Sequence, residues 1–227
     1  MPDLDFALTG AAVDSRALTP VLAFRLEVRE RSGLHVDTVV LDVQVMIEAR
    51  RRTYDDGERE ALLDLFDVPQ RWGTTLKTML WTRTRATVPS FDGQVSVSLP
   101  VACTYDLTVA SAKYFVGLRD GEVPLTFQFA GTVFYRDAEG SLQIERVPWT
   151  AEALYRLPVS VWRELIQAQY PDHAWVGLGR DVFEALHRYR TAGRMATWDH
   201  AVSSLLAGAR ATDEAPAPPG AHVGATG

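Results

Sequence analysis

The first two-thirds of the chain alternates between apolar and polar positions. Leu22, Phe24, Leu26 and Val28 interleave with Ala23, Arg25, Glu27 and Arg29, and Val39, Leu41, Val43, Val45 and Ile47 are opposed by Asp42, Gln44 and Glu48. A period of two buries one face of a strand and wets the other, so both runs predict half-buried strands. The Arg31-Ser32-Gly33 turn between them predicts a hairpin. Leu4, Phe6 and Leu8 predict a short strand before them. The longest run holds Val95, Val97, Leu99, Val101, Cys103, Tyr105, Leu107 and Val109 in one phase over fifteen residues. Pro100 falls on its opposite face and, lacking an N–H, predicts an edge position or a bend. Leu125, Phe127, Phe129, Gly131, Val133 and Tyr135 follow an Asp120-Gly121 turn, and Leu142 and Ile144 follow a turn at 137–140. Such alternation belongs to antiparallel sheets with one face on a core.

Helical patterns interrupt and then replace it. Asp55-Asp56-Gly57 ahead of Leu62, Leu63, Leu65 and Phe66 predicts a short amphipathic helix with acids at its N-terminus. Leu76, Met79 and Leu80 predict a helical turn before a strand over 81–88. After Pro148 three helices are predicted. The first carries Trp162, Leu165, Ile166 and Gln169 between a Ser160 cap and Pro171. The second carries Val182, Phe183, Leu186 and Tyr189 between an Asp181 cap, with Glu184 three residues on, and a Gly193 stop. The third carries Trp198, Ala201, Val202, Leu205 and Leu206 after Thr197. Strands followed by helices predict the α+β class: an antiparallel β-sandwich-like core of seven or eight strands, then a C-terminal layer of about three helices. One domain is expected over 1–208, mainly β to 148 and mainly α from 149, because a 60-residue helical segment would be marginal alone. The Ala/Pro/Gly-rich tail, 209–227, is expected to be disordered.

Composition narrows the partners. With 227 residues, 47% hydrophobic and 23% charged, the chain has the ordinary globular profile and needs no covalent staple. A net charge of −6 argues against nucleic acid as a partner. No apolar run approaches the ~20 residues of a membrane span and the start is not basic, so no membrane insertion and a cytoplasmic location are expected. Cys103 is the only cysteine, which excludes an intramolecular disulfide and multi-cysteine metal sites; its phase predicts an inert buried thiol.

Reactive motifs are missing. The chain has no G-x-S-x-G, H-E-x-x-H, Walker A or G-x-G-x-x-G motif, and Gly177-Leu178-Gly179-Arg180 precedes a helix outside any βαβ pattern. No catalytic residue, metal ligand or cofactor is expected, and the balance is against an enzyme. Arg50, Arg51 and Arg52, with Arg83 and Arg85, read as solvated positions offset by Asp55, Asp56, Glu58 and Glu60. Aromatic residues carry a different signal: Trp149, Trp162, Trp175 and Trp198 crowd the C-terminal part, where 149–208 hold six basic and six acidic groups. A neutral, tryptophan-rich layer suits a protein partner, so Trp162, Trp175 and Trp198 are the candidate partner-binding residues. The alternative is a small-molecule-binding protein or enzyme with a pocket between the sheet and the C-terminal helices, using Tyr105, Asp106, Lys113 and Tyr114.

Several stretches together carry a family resemblance. They are Leu4-Asp5-Phe6 with Thr9-Gly10, Leu65-Phe66 with Arg71-Trp72-Gly73, Cys103-Thr104-Tyr105-Asp106, Lys113-Tyr114-Phe115, and Asp120-Gly121-Glu122-Val123-Pro124-Leu125. Gly131-Thr132-Val133-Phe134, Val147-Pro148-Trp149, Leu157-Pro158-Val159 and Val161-Trp162-Arg163-Glu164-Leu165 complete the set. The chain resembles a family of uncharacterised, actinobacterial-type proteins often encoded near nickel–iron hydrogenase genes. That resemblance implies an accessory or assembly role whose partner is a hydrogenase subunit or maturation factor. It brings no catalytic residue with it.

Overall fold

The computed structural model describes residues 2–106 and 109–213, with side chains to 210. Leu107, near the end of the longest alternating run, and most of the expected disordered tail (214–227) lie outside the described residues. The strands are β1 (Leu4–Val13), β2 (Val21–Glu30), β3 (Val36–Ile47), β4 (Met79–Val88), β5 (Gln94–Ala102), β6 (Glu122–Arg136), β7 (Leu142–Arg146) and β8 (Glu152–Pro158). They form two antiparallel sheets, one ordered β1-β2-β5 and the other β4-β3-β6-β7, with β8 also pairing β6. The helices are α1 (Asp56–Ala61), α2 (Leu63–Phe66), α3 (Trp72–Thr75), α4 (Ala110–Gly117), α5 (Val159–Gln169), α6 (Arg180–Ala192) and α7 (Trp198–Asp213). This is the expected α+β, sandwich-like arrangement.

The two sheets meet through the apolar phase of each strand. Leu22, Phe24, Leu26 and Val28 of β2 and Val39, Leu41, Val43, Val45 and Ile47 of β3 are all buried in one core. Aromatic rings bridge the sheets: Phe6 stacks on Phe129 at 4.5 Å, and Phe24 meets Phe127 edge-on at 5.0 Å. Offset and edge-on pairs of this kind add to the burial of apolar area itself. Pro100 lies in β5, at the edge of its sheet, where a missing donor leaves no ladder bond unmade.

Several boundaries differ from the sequence reading. β2 and β3 do not form a hairpin; they belong to different sheets. Glu30 is the reason. Its buried carboxylate accepts N–H groups from Asp3, Ser32, Gly33 and Leu34 together with the Ser32 hydroxyl, and this latch turns the chain out of one sheet toward the other. Burial alone would raise the Glu30 carboxyl, but the Ser32 and backbone donors outweigh it and hold the group below the usual range. The run expected over 95–109 stops as a strand at Ala102 and gives way to α4 at Ala110. The helical turn expected near Leu76 lies upstream as α3, and Met79 and Leu80 already belong to β4. Pro158, with φ −60°, occupies the N-cap of α5 in place of Ser160, and Gly179 caps α6 in place of Asp181. Thr197 accepts from the His200 N–H at 3.1 Å and Gly193 ends α6, both as the pattern predicts.

β8 lies beyond Pro148, inside the stretch expected to be mainly helical. By contact, the chain divides into Met1–Val176 and a unit from Gly177 on. The first holds both sheets and α1 to α5; the second holds α6 and α7.

Gly131 shows how tightly β3 and β6 approach. Its φ is +150°, and a Cβ there would stand 2.0 Å from the Val40 carbonyl oxygen. Gly131→Ala should therefore destabilise the fold by about 2 kcal/mol or more, read from the urea midpoint. Gly10→Ala, where nothing lies within 4 Å of the added carbon, should shift it by under about 0.5 kcal/mol.

Candidate functional site

The residues proposed from sequence are dispersed. Trp162 is 3% exposed and stacks on Phe115 at 5.2 Å, so α5 spends it on the core and its ring is not available to a partner. Trp175 is 59% exposed, edge-on to Tyr170, and forms an isolated bridge with Asp106. Trp198 is half-buried beneath the Arg190 guanidinium at 4.1 Å, with Phe183 and His187 alongside. The pocket candidates do not converge either. Tyr105 packs between Trp162 and Tyr170, Lys113 pairs with Asp64 at the surface, and Tyr114 is fully buried.

Tyr114 belongs to a buried polar network that the sequence pattern does not reveal. Its hydroxyl meets that of Tyr54 at 2.7 Å, and Tyr54 donates to the Ala49 carbonyl at 2.8 Å. The Arg52 guanidinium lies 5.0 Å over the Tyr54 ring and forms a two-pronged pair with Glu58 at 2.7 and 2.8 Å. Arg52 also donates to the Asp120 and Glu122 carbonyls, and Glu58 accepts the Arg119 N–H at 2.8 Å. Glu58 closes the N-terminus of α1 as well, through a capping box with Asp55. Both charges are thus buried and met by several hydrogen bonds, the condition under which a buried pair holds its geometry. Burial would raise the Glu58 carboxyl, but the Arg52 hydrogen bonds, the Arg119 N–H and the Arg52 charge outweigh it and hold the group at about 2. Burial pushes Tyr54 up to about 12 and Tyr114 upward, so both stay neutral at physiological pH. The network fixes helix to sheet and presents no free reactive group.

Cys103 is also spent on structure. It is buried, its thiol donates to the Val101 carbonyl at 3.6 Å, and burial pushes it up to about 12. Among the described residues no group of three or more His, Cys, Asp or Glu could hold a metal ion, and no helix is long and apolar enough to cross a membrane.

Two exposed surfaces among the described residues combine aromatic or apolar groups in a way that suits a ligand or partner. On the outer face of the larger sheet, β4, β3 and β6 floor a trough of about 790 Å3. The even-numbered phase of β3 and the odd-numbered phase of β4 aim Asp42, Gln44, Arg83 and Arg85 into it; Gln128 and Ala130 come from β6. Trp149, in the turn between β7 and β8, lines one side and is 92% exposed. Arg85 pairs with Asp42 at 2.6 Å, whereas Arg83 has no ion-pair partner among the described residues. The wet phase of β3 and β4 was readable as a solvated sheet face, but Trp149 sits in a turn, where periodicity carries no information.

The second surface belongs to the unit from Gly177 on. α6 buries no side chain, and Ala201 is the one buried side chain described in this unit. Val182, Phe183, Leu205 and Leu206 are between 45% and 58% exposed. A short helix pair normally draws its stability from burying such a stripe, and here the stripe is largely bare.

The buried pair supports a pH prediction. A carboxyl held at about 2 when folded, against an ordinary value of 4.5, stabilises the fold fully above 4.5 and loses that contribution as pH falls toward 2. Glu58→Gln should cost about 3–5 kcal/mol at neutral pH by leaving Arg52 buried without its counter-charge. It should also flatten the stability profile over that acid window, measured by urea unfolding at successive pH values. Cys103 should react with a thiol reagent only as fast as the protein unfolds.

Comparison with known structures returns small likenesses. One is to the CARDB domain of a Pyrococcus furiosus protein solved with di-metal ions, at 9% identity and TM-score 0.27, covering 69% of this chain and 91% of that one. Another is to a β-glucosidase from Kluyveromyces marxianus, at 8% identity and TM-score 0.27, covering 68% of this chain and 15% of that one. A third is to β-glucosidase 3B from Thermotoga neapolitana, at 12% identity and TM-score 0.21, covering 68% of this chain and 17% of that one. No curated protein matches in sequence. Residues 1–214 match the family of unknown function DUF6084, and the chain belongs to that family.

Proposed function

We propose that this protein is a non-enzymatic binding or assembly protein of the cytoplasm that engages a protein partner through the apolar stripe of α6 and α7. The observation that carries this reading is the bare stripe itself. Phe183 and Leu206 are 46% and 56% exposed on helices that bury almost nothing of their own. Exposed apolar groups gathered on one short helix pair are a usual mark of an interaction site. The stretch 149–208 is neutral overall, so association brings little charge desolvation with it. Trp198, already ordered by Arg190 and Phe183, supplies a preorganised aromatic anchor beside the stripe. Trp162 has no part in this interface.

The family resemblance makes a nickel–iron hydrogenase subunit or maturation factor the partner to test first. Full-length protein carrying an affinity tag should retain such a component from the native host. A chain with Phe183→Asp and Leu206→Asp should lose it while the melting temperature of the sandwich stays within about 2 °C. Equal retention by both chains, or retention of no hydrogenase component by either, would contradict the proposal.

A further inference from the structure

We infer that the trough on the outer face of β4, β3 and β6 is a binding site for an acidic saccharide, a sugar chain bearing ring carboxylates. This stands apart from the interface on α6 and α7, and neither depends on the other.

The floor excludes one common mode of recognition. β3 is paired along both edges, to β4 and to β6, so its backbone donors and acceptors are already used. A peptide lying over β3 cannot pair with its backbone, so recognition within the trough comes from side chains standing up from the sheet. Those side chains are two carboxamides (Gln44 and Gln128), two guanidinium groups (Arg83 and Arg85), one carboxylate (Asp42) and one indole (Trp149). Carboxamides offer a donor and an acceptor side by side, which suits the neighbouring hydroxyls of a sugar ring. Such a ring carries its hydrogen-bonding groups at the rim and C–H groups on its faces. An indole that is 92% exposed offers a flat face on which those C–H groups can rest.

Charge selects the kind of sugar. Arg85 is neutralised by Asp42 at 2.6 Å, leaving Arg83 as the charge of the lining with no ion-pair partner among the described residues. Glu152 faces Gln128 from β8 but lies outside the lining. One free guanidinium fork fits one carboxylate in two-pronged fashion, the geometry that distinguishes arginine from lysine. Two strand spacings separate the side chains of β4 from those of β6, about 10 Å, so the trough takes a short stretch of chain across its width. Its volume of about 790 Å3 lies within the range of small-molecule sites. Ala130, small and directly opposite Asp42, leaves the centre of the floor open.

Titration calorimetry on the full chain tests this with three probes: digalacturonate, its dimethyl ester and a hexaglutamate peptide. Digalacturonate should bind saturably with Kd at or below about 1 mM, and the uncharged ester at least about fivefold more weakly. Trp149→Ala should weaken both sugars by about tenfold or more. Arg83→Gln should weaken only the acid and remove its advantage over the ester. Both substitutions are at exposed positions, and unchanged melting curves will show that the fold is retained. Three results would each overturn the inference: no saturation by digalacturonate up to about 10 mM, affinity unaffected by Trp149→Ala, or hexaglutamate binding as tightly as the sugar acid. Because the α6–α7 stripe is untouched by these variants, failure here leaves the partner proposal standing.

Discussion

β3 is hydrogen-bonded along both edges over most of its length, and that double pairing organises everything around it. A strand held on both sides cannot slip by one residue without turning Val39, Leu41, Val43, Val45 and Ile47 outward and Asp42 and Gln44 into the core. The register is therefore fixed by burial as well as by backbone bonds. Its two faces then do different work. The inner face meets the smaller sheet through the core that Phe24 and Phe127 share, and the outer face becomes the floor of the trough. Gly131 is the point where this pairing is closest, since the Val40 carbonyl occupies the space of a side chain.

Charge is used in two distinct ways. Where it is buried, at Glu30 and at Arg52–Glu58, each carboxylate is met by several donors, and each sits where the chain must turn or a helix must be tied to a sheet. These groups stabilise connections that apolar contacts alone would leave loosely specified, and the donors each receives offset its loss of water. Where charge is exposed, on the outer sheet face, Arg83 has no ion-pair partner among the described residues. The helices from Gly177 on show the reverse pattern: apolar groups stand in water and little is buried. The sandwich and the helix pair thus differ in how far they bury their apolar groups.

The strands were legible because period-two patterning records burial directly, as at β2, β3 and β6. Pairing was less so. β2 and β3 are adjacent in sequence and separated by a glycine-containing turn, yet they join different sheets because the Glu30 latch redirects the chain, and a latch built from backbone N–H groups leaves little trace in sequence. Cys103 and Tyr105 kept the phase of β5 beyond its end at Ala102, because Cys103 stays buried and Tyr105 still packs against the core after strand geometry has ended. β8 alternates through Ala153, Tyr155 and Leu157, but the nearby helix signals hid a strand only seven residues long. Exposure of the tryptophans was the least legible feature. Trp162 and Trp149 both follow helix- or turn-forming residues, and tertiary packing alone makes one 3% and the other 92% exposed.

The sandwich buries its apolar groups in one core, whereas α6 buries no side chain, so the two should differ widely in local stability. Native-state hydrogen exchange on the unliganded full chain reads this residue by residue. Amides of β3 and β6 should exchange only through global unfolding, and those of α6 at least about a hundredfold faster than them. Protection of α6 amides to the same free energy as β3 would contradict this, because the helices would then already be stable in the free protein.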